Sequence, residues 1–322
     1  MFLRGEVTRL FLVGVAFLGV VAASVGCRAA PTDQREPSTG QSIVLPTEEG
    51  SWIPQSTQVG RIPSGTGTIE IVDVGSFEFD ASTIETTRPD VFRNGHFSVF
   101  DILVALDDRG DIDLKYHYDP HMATHTIESL NGTPHCWYTA HYSEGWFETN
   151  VFRMDLYPYK DNTAIRVYPT TEEYFASICQ TFGDEVRRLS RNQGTVVVPE
   201  VTIEGPLFIR RFEDIAVSAH NTRSDALQPD MPTALDILLS LGEQGELDEI
   251  ELKWYSSIGR ADPVDHYFVE RIEAAEAHAR CGFVYEVGPT LFAGFAGSHI
   301  HIPADMRVLV SPDYALFFWI CL

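Results

Sequence analysis

Residues 98–110 read Ser-Val-Phe-Asp-Ile-Leu-Val-Ala-Leu-Asp-Asp-Arg-Gly, and residues 233–245 read Thr-Ala-Leu-Asp-Ile-Leu-Leu-Ser-Leu-Gly-Glu-Gln-Gly. The hydroxyl residue that opens each stretch and the aspartate three positions later can form a capping box, which marks the start of a helix. Apolar residues then recur at helical spacing. The closing glycine stands where a left-handed residue ends a helix. Each stretch therefore predicts one short amphipathic helix.

The two stretches belong to an internal duplication with an offset of 135 residues. Comparing 87–113 with 222–248 without gaps yields nine identities in 27 positions, where average composition leads to about two by chance. Thr87-Arg88-Pro89-Asp90 corresponds to Thr222-Arg223-Ser224-Asp225. The sequence favours a salt-bridged turn before the helix for both segments, and a pair of ligand clamps is the alternative. Such self-similarity predicts two copies of one structural unit.

Segments rich in β-branched and aromatic residues surround each predicted helix, which favours strands. One helix packed on a small mixed sheet, twice, is an α+β arrangement. We expect unit 1 at 66–193 and unit 2 at 194–322. The predicted strands are Thr68–Val74, Asp113–Tyr118, Ile127–Leu130, Ile165–Tyr168, Val196–Ile203, Glu249–Tyr255, Phe268–Ile272 and Arg307–Val310.

The N-terminus has the pattern of an export signal followed by a tether. Residues 1–27 combine two arginines, an apolar stretch and a small-residue end before Cys27, which predicts a signal peptide with a lipobox-like junction. Lipidation of Cys27 would anchor an exported protein to a membrane, facing the periplasm or the cell surface; plain secretion and an uncleaved anchor are the alternatives. Residues 28–65 are rich in Pro, Gly, Ser, Thr and Gln, which predicts a flexible linker.

Charge excludes some partners. The chain of 322 residues carries 23 basic and 46 acidic side chains, a formal net charge of −23. This charge repels phosphate backbones and anionic lipid, so we expect no nucleic acid and no membrane contact except through the N-terminal lipid.

Four cysteines follow Cys27, and export favours disulfides between them. Cys136 and Cys281 both precede an aromatic strand, while Cys179 and Cys321 both follow a strand of the repeat. The repeat therefore predicts the pairs Cys136–Cys179 and Cys281–Cys321, and four unpaired buried thiols are the alternative.

The order of these features resembles the β-grasp domain found at the C-terminus of transcobalamin and in bacterial surface lipoproteins. In repeat one the resemblance rests on Ser98, Asp101 and Leu103, on 127–132, on Trp137-Tyr138 up to Gly145 and on 165–168. In repeat two it rests on Thr233, Asp236 and Leu238, on 282–288 and on 308–310. The resemblance implies two tandem β-grasp-like units that bind a small ligand or a protein. Nothing resembles the large helical barrel of transcobalamin, so cobalamin binding is not implied.

A histidine cluster is a candidate transition-metal site. His117, His121 and His125 are spaced by four residues beside Asp119, and imidazoles are common ligands of zinc and copper. Pro120 argues against a helix that would align them, so solvent-facing loop histidines are the alternative. No other feature predicts a cofactor.

Aromatic residues are densest at Trp137, Tyr138, Tyr142, Trp146 and Phe147. A core strand and hairpin would explain them, and a groove for a planar ligand, sugar or peptide is the alternative.

Common catalytic motifs are absent from the sequence, including the Gly-x-Ser-x-Gly elbow, His-Glu-x-x-His, Ser-x-x-Lys and dinucleotide fingerprints. We therefore expect a non-catalytic, exported and lipid-anchored protein that binds a small molecule or an envelope partner. A periplasmic metal-binding protein using the three histidines is one alternative, and a structural component of the envelope is another.

Overall fold

A computed structural model describes residues 42–44, 58–142, 147–151, 153–258, 261–290 and 303–321; for 42–44, 136–142 and 147–151 it describes the backbone only. The fold is α+β, as predicted: the described residues form four small sheets and three α-helices. The boundary at 193/194 falls between the second helix and the tenth strand.

Each repeat contains a main sheet, and the strand order is the same in both apart from one additional edge strand in the first repeat. In the first repeat the order is β3-β2-β9-β7-β8, and in the second it is β11-β10-β16-β15. In both, the first strand of the repeat pairs antiparallel with the next strand and parallel with the last one. The strands are β2 Thr66–Ile71, β3 Gly75–Asp80, β7 Cys136–Tyr142, β8 Phe147–Val151, β9 Thr163–Pro169, β10 Val196–Glu204, β11 Ile209–Val217, β15 Cys281–Gly288 and β16 Tyr314–Cys321.

A second, smaller sheet accompanies each main sheet. Its order is β4-β5-β6 in the first repeat and β1-β12-β13-β14 in the second. The extra strand β1, Ser42–Val44, comes from within the predicted linker. The other strands are β4 Leu114–Asp119, β5 Thr124–Leu130, β6 Thr133–Pro134, β12 Ile250–Tyr255, β13 His266–Ile272 and β14 Ala275–Glu276.

The two predicted helices are confirmed as α1, Val99–Asp108, and α3, Ala234–Glu243. The carboxylate of Asp101 accepts hydrogen bonds from the backbone N–H and hydroxyl of Ser98, both at 2.7 Å. Asp236 does the same for Thr233 at 2.6 and 2.9 Å. Gly110 and Gly245 follow the helices with φ values of 79° and 73°, which an L side chain rarely adopts.

A third helix, α2, spans Glu172–Arg191 and was missed by the sequence analysis. Thr171 caps it by accepting from the N–H of Tyr174, and two glutamates lie in its first turn. Arg188 and Arg191 lie in its last turn, where their positive charges interact favourably with the helix dipole. Among the described residues of the second repeat, no helix corresponds to α2.

The final strand of the second repeat was predicted at the wrong place. Within 307–310 only Val308 makes a β-bridge, to Thr233. The strand that pairs parallel with β10 is instead β16, which begins at Tyr314, four residues after Val310, and has Tyr314 opposite Glu200. Pro312 ends the apolar run at 308–310, and the side chains of that run pack into the cores instead.

The disulfide Cys281–Cys321 is present, as predicted. The bond predicted between Cys136 and Cys179 is wrong, because Cys179 is a free thiol. Cys281 lies opposite Cys321 in the β15–β16 ladder, whereas Cys136 lies opposite Pro169 in the β7–β9 ladder. The first repeat therefore has a proline at the position of Cys321, and Cys179 lies in α2, which has no counterpart in the described part of the second repeat.

The hydrophobic cores of the two repeats are joined. The core around α1 includes five buried residues that come from the second repeat: Ala226, Leu227, Met306, Val308 and Val310. Leu189 of α2 packs against both this core and the core around α3. The two repeats thus share buried surface.

Candidate functional site

The paired Thr-Arg-x-Asp segments form one buried ion-pair network in each repeat. In the first repeat, Nε and Nη2 of Arg88 donate to the two oxygens of Asp90 at 2.9 and 2.8 Å. Nη1 of Arg88 donates to Asp155 at 2.7 Å. Asp155 is fully buried in a short 3-10 helix, Met154–Leu156, and it also accepts from Thr124 and from the backbone N–H of His125.

The second repeat contains the same network. Arg223 donates to both oxygens of Asp225 at 3.0 Å and to Asp305 at 3.1 Å. Asp305 is fully buried and accepts from the backbone N–H of Tyr267 at 3.0 Å. His266, which stands where the first repeat has Thr124, places Nδ1 3.0 Å from Asp305. His125 and Tyr267 are equivalent at an offset of 142 residues, because the backbone N–H of each donates to the buried aspartate of its own repeat.

An aromatic ring covers each arginine. The guanidinium carbon of Arg88 lies 5.5 Å from the ring centre of Tyr118 in β4, and that of Arg223 lies 5.3 Å from Trp254 in β12. Tyr118 and Trp254 occupy equivalent strand positions. The turn before each helix is salt-bridged, as the sequence favoured. The networks also attach each turn to the small sheet of the same repeat.

Burial and ion pairing act in opposite directions on the titrating groups. Burial by itself would raise the pKa of Asp155 and Asp305. For Asp155, the bonds from His125 and the charge of Arg88 outweigh burial and lower the pKa below the ordinary range. For Asp305, the surrounding charges have the same effect on the pKa. Burial lowers the pKa of His266 to about 4. At neutral pH both aspartates are therefore ionised and His266 is neutral.

The chemistry available to these networks is limited because their charges already have partners inside the fold. Nucleophilic or acid–base catalysis needs a group that can reach a substrate. Asp155 and Asp305 are inaccessible, and each accepts bonds from an arginine, a backbone N–H and a neighbouring side chain. The buried members of the networks position the backbone, and of the two pairs Arg88–Asp90 and Arg223–Asp225 only Asp90 presents its carboxylate to solvent.

The three histidines of the candidate metal site are not brought together. His117 is half exposed and bonds through Nδ1 to Glu128 at 2.8 Å. His121 lies exposed in the turn after β4. His125 packs parallel to the ring of Phe100 in α1, with centres 5.1 Å apart, and contacts Asp155. Across the described ranges, no group of three or more His, Cys, Asp or Glu side chains is arranged to hold a metal ion.

The predicted aromatic site lies in part on β7 and β8. Trp137, Tyr138 and Tyr142 belong to β7, and Phe147 begins β8. Their side chains, and Trp146 as a whole, lie outside what the structure describes. The signal segment and Cys27 also lie outside the described residues.

A small hollow between β5 and α2 was not predicted. Its apolar wall includes Met122, Ile178 and Phe182. His125 and Thr126 contribute polar atoms, and the buried hydroxyl of Thr126 has no hydrogen-bond partner among the described residues. The missed helix α2 forms one side, so the sequence analysis could not have found this hollow.

Exposed aromatic residues lie on β4 of the first repeat. Tyr116 and Tyr118 are 37% and 46% exposed. The ring of Tyr116 packs nearly perpendicular to that of Phe100 with ring centres 5.0 Å apart, while part of it faces solvent. The alternation of polar and aromatic residues in Lys115–Tyr118 was a signal for an exposed strand that the sequence analysis did not develop.

No helix in the described part of the chain is both long enough and apolar enough to span a membrane. No protein-family model, no curated protein and no solved structure matches the chain.

Proposed function

We propose that the chain is an exported, lipid-anchored and non-catalytic binding protein for a small molecule or a partner in the cell envelope. The observation that carries the proposal is the contrast within the first repeat between buried, paired charges and exposed, ordered aromatic rings. Asp155 and Arg88 are buried, whereas Tyr116 and Tyr118 present ring surface to solvent. Aromatic rings supply large contact areas at low entropic cost, as ligand-binding surfaces require.

The anchor and the β-grasp resemblance are consistent with this role. The lipobox-like junction at Cys27 and the composition of 28–65 favour a folded body held close to a membrane by a tether. The resemblance implies a module for a small ligand or a protein. A non-catalytic role accords with the absence of catalytic motifs from the sequence.

A thermal-shift screen of the chain tests binding. The screen contains small organic ligands, Zn²⁺ and Cu²⁺, and a ligand that binds only the folded state raises the melting temperature. We expect at least one organic ligand to raise it, and Tyr118→Ala to abolish the shift. Phe268→Ala, which removes an exposed ring of the second repeat, is the matched control and should retain the shift.

Two outcomes of the screen oppose the proposal. A shift caused by Zn²⁺ or Cu²⁺ alone, lost in the His121→Ala and His125→Ala variants, would favour the metal-binding alternative. No shift with any ligand, together with no envelope partner, would favour a structural component. The anchor is tested separately: Cys27→Ser should move the protein from the membrane fraction to the soluble fraction.

A further inference from the structure

A local pseudo-two-fold axis relates the two repeats. Phe92 forms an antiparallel bridge with Leu227, its own equivalent at the offset of 135. The N–H of Arg93 donates to the carbonyl of Ala226 at 2.9 Å, and the N–H of Gln228 donates to the carbonyl of Val91 at 2.8 Å. At the offset of 135, Arg93 corresponds to Gln228 and Val91 to Ala226, so each bond is the equivalent of the other. A contact in which equivalent residues meet in this reciprocal way is isologous. Equivalent surfaces of the two repeats can therefore be compared directly.

In the second repeat, the chain's own N-terminal segment covers one such surface. β1 pairs antiparallel with β12, with Ser42, Ile43 and Val44 opposite Lys253, Leu252 and Glu251. A second contact lies at Gly60, whose N–H donates to Asp225 at 2.8 Å. A Cβ on Gly60 would lie 2.8 Å from Nη2 of Arg223, so a larger residue there would push against the guanidinium that bonds to Asp225.

Neighbouring Arg61 strengthens this attachment. Its Nε donates to Asp265 at 2.7 Å, and its Nη2 donates to the carbonyl of Ser256 at 2.8 Å. The end of the predicted linker is thus bonded to the second repeat. The side chain of Asp225, which accepts the bond from Gly60, is only 6% exposed, and Leu252 is fully buried in the core around α3.

The equivalent surface of the first repeat is open in the described part of the chain. β4 has β5 on one side, and no described strand pairs with its other edge. Tyr116, which is equivalent to Leu252, is 37% exposed. The side chain of Asp90, which is equivalent to Asp225, is 64% exposed. Among the described residues, the first repeat therefore has no counterpart of the segment that pairs with β12.

The open edge of β4 has backbone groups available for pairing. The N–H of His125 donates to Asp155, so it points away from β4. Tyr118 and His125 are opposite each other in the ladder and must form a pair without mutual hydrogen bonds. The N–H and C=O of Tyr118, and those of Tyr116 two residues earlier, consequently face the open edge. In β12 the N–H of Tyr267 likewise donates to Asp305, so Trp254, opposite Tyr267, and Leu252, two residues earlier, turn their backbone groups to the other edge. There Leu252 pairs with Ile43 of β1.

We propose that the open edge of β4 binds an extended segment of a partner protein by strand addition, in the way that β12 binds Ser42–Val44. The inference rests on the proposed binding function and names its site and partner class. Main-chain hydrogen bonds supply affinity in this mode, and alternate side chains supply specificity. The partner segment carries β-branched residues, as Ile43 and Val44 do, and a basic residue that pairs with Asp90, as Arg61 pairs with Asp265 in the second repeat.

The test uses a labelled synthetic peptide with the sequence of residues 40–62, because Ser42–Val44 pair with the equivalent edge and Gly60 and Arg61 bond to the second repeat. The peptide is titrated into the full chain, whose β12 edge is already occupied, and fluorescence anisotropy reports binding. Tyr116→Pro removes the outward N–H and leaves the β4–β5 ladder intact. The matched variant Tyr116→Val also loses the ring but keeps the N–H. We expect Tyr116→Pro to weaken binding about tenfold relative to Tyr116→Val, which corresponds to 1.4 kcal/mol.

Hydrogen exchange on the unaltered chain locates the peptide even if Tyr116→Pro does not fold. We expect the peptide to protect the amides of 114–119, and a peptide with proline in place of Ile43 to protect them less. Protection of 250–255 alone would mean that the peptide merely exchanges with β1, and this would overturn the proposal.

Two further outcomes also overturn the proposal. If 114–119 become protected as the chain alone is concentrated and sedimentation shows dimers, the occupant is a second copy of this chain. If no peptide binds while an organic ligand raises the melting temperature, the proposed binding function stands and the strand-addition site does not.

Discussion

Arg223 is a buried cation whose charge is balanced by two carboxylates, one of which, Asp305, is fully buried. Removing one partner of a buried ion pair leaves the other charge without compensation in a medium that solvates it poorly. The network therefore stabilises each repeat, because losing one of its members leaves a buried charge without a partner. The equivalent arginine of the first repeat, Arg88, is expected to behave in the same way.

Arg223→Met should lower the free energy of unfolding by about 3–5 kcal/mol, because Asp305 remains buried without its cation. Urea denaturation followed by circular dichroism measures this change. Arg109→Met is the control, since it breaks the exposed pair with Asp111 and should cost less than about 1 kcal/mol. Equal losses in the two variants would contradict a stabilising role for the buried network.

His266 predicts a dependence of stability on pH. Its pKa is lowered by burial to about 4 in the folded chain, whereas an unfolded histidine has a pKa of about 6.5. Between these two pKa values the unfolded state binds more protons than the folded state. The free energy of unfolding is therefore unaffected by this residue above pH 6.5 and decreases as the pH is lowered from 6.5 towards 4.

The variant His266→Thr isolates this effect, because threonine occupies the equivalent position in the first repeat as Thr124. We expect the free energy of unfolding of the variant to decrease less than that of the unaltered chain when the pH is lowered from 6.5 to 4. Urea unfolding at a series of pH values measures the difference, and parallel curves for the two proteins would refute the assignment.

At the scale of elements, the disulfide Cys281–Cys321 joins β15 to β16 across 40 residues of chain. Cross-linking a loop of this length restricts the unfolded state and contributes about 4 kcal/mol on the chain-entropy model. In the first repeat, β7 and β9 are held by backbone pairing with no disulfide that involves Cys179.

Replacing Cys281 and Cys321 with alanine should therefore lower the unfolding free energy by about 3–4 kcal/mol. Cys179→Ala, which removes a half-buried free thiol, serves as the control and should have a smaller effect. Thermal and urea unfolding under non-reducing conditions measure both. Peptide mapping that found Cys179 in a disulfide would contradict the assignment.

At the scale of the whole molecule, the repeats are coupled through buried residues around the pseudo-two-fold axis. Phe92 and Leu227 are 1% and 3% exposed and lie in one hydrophobic core. The second repeat contributes further side chains to the core of the first, and α2 contacts both cores. We therefore expect the repeats to unfold together.

Leu227→Ala tests this coupling. The truncation should cost about 2–5 kcal/mol, the range for buried leucines, and should shift a single unfolding transition. Tryptophan fluorescence and circular dichroism should report coincident midpoints. Leu207→Ala, at a residue that is 95% exposed, should change stability by less than about 0.5 kcal/mol. Two separate transitions, only one of them shifted, would mean that the repeats are independent.

Interactions within a few residues of each other could be predicted from the sequence. The caps at Ser98 and Thr233 and the left-handed glycines at 110 and 245 depend only on neighbours in the chain. The duplication then identified the same helix and most of the same strands twice. The α+β class follows from this local information, because each element is specified by its own periodicity.

The tertiary structure alone decided which distant residues meet. Asp155 lies 67 residues from Arg88, so no local pattern connects them. Cys179 lies in a helix that only the first repeat has among the described residues, and comparing the repeats therefore assigned it the wrong partner. The closure of β12 by a segment about 210 residues away depends on a strand edge that exists only after folding. Local preferences act through the chain, whereas these contacts depend on how the folded surfaces pack.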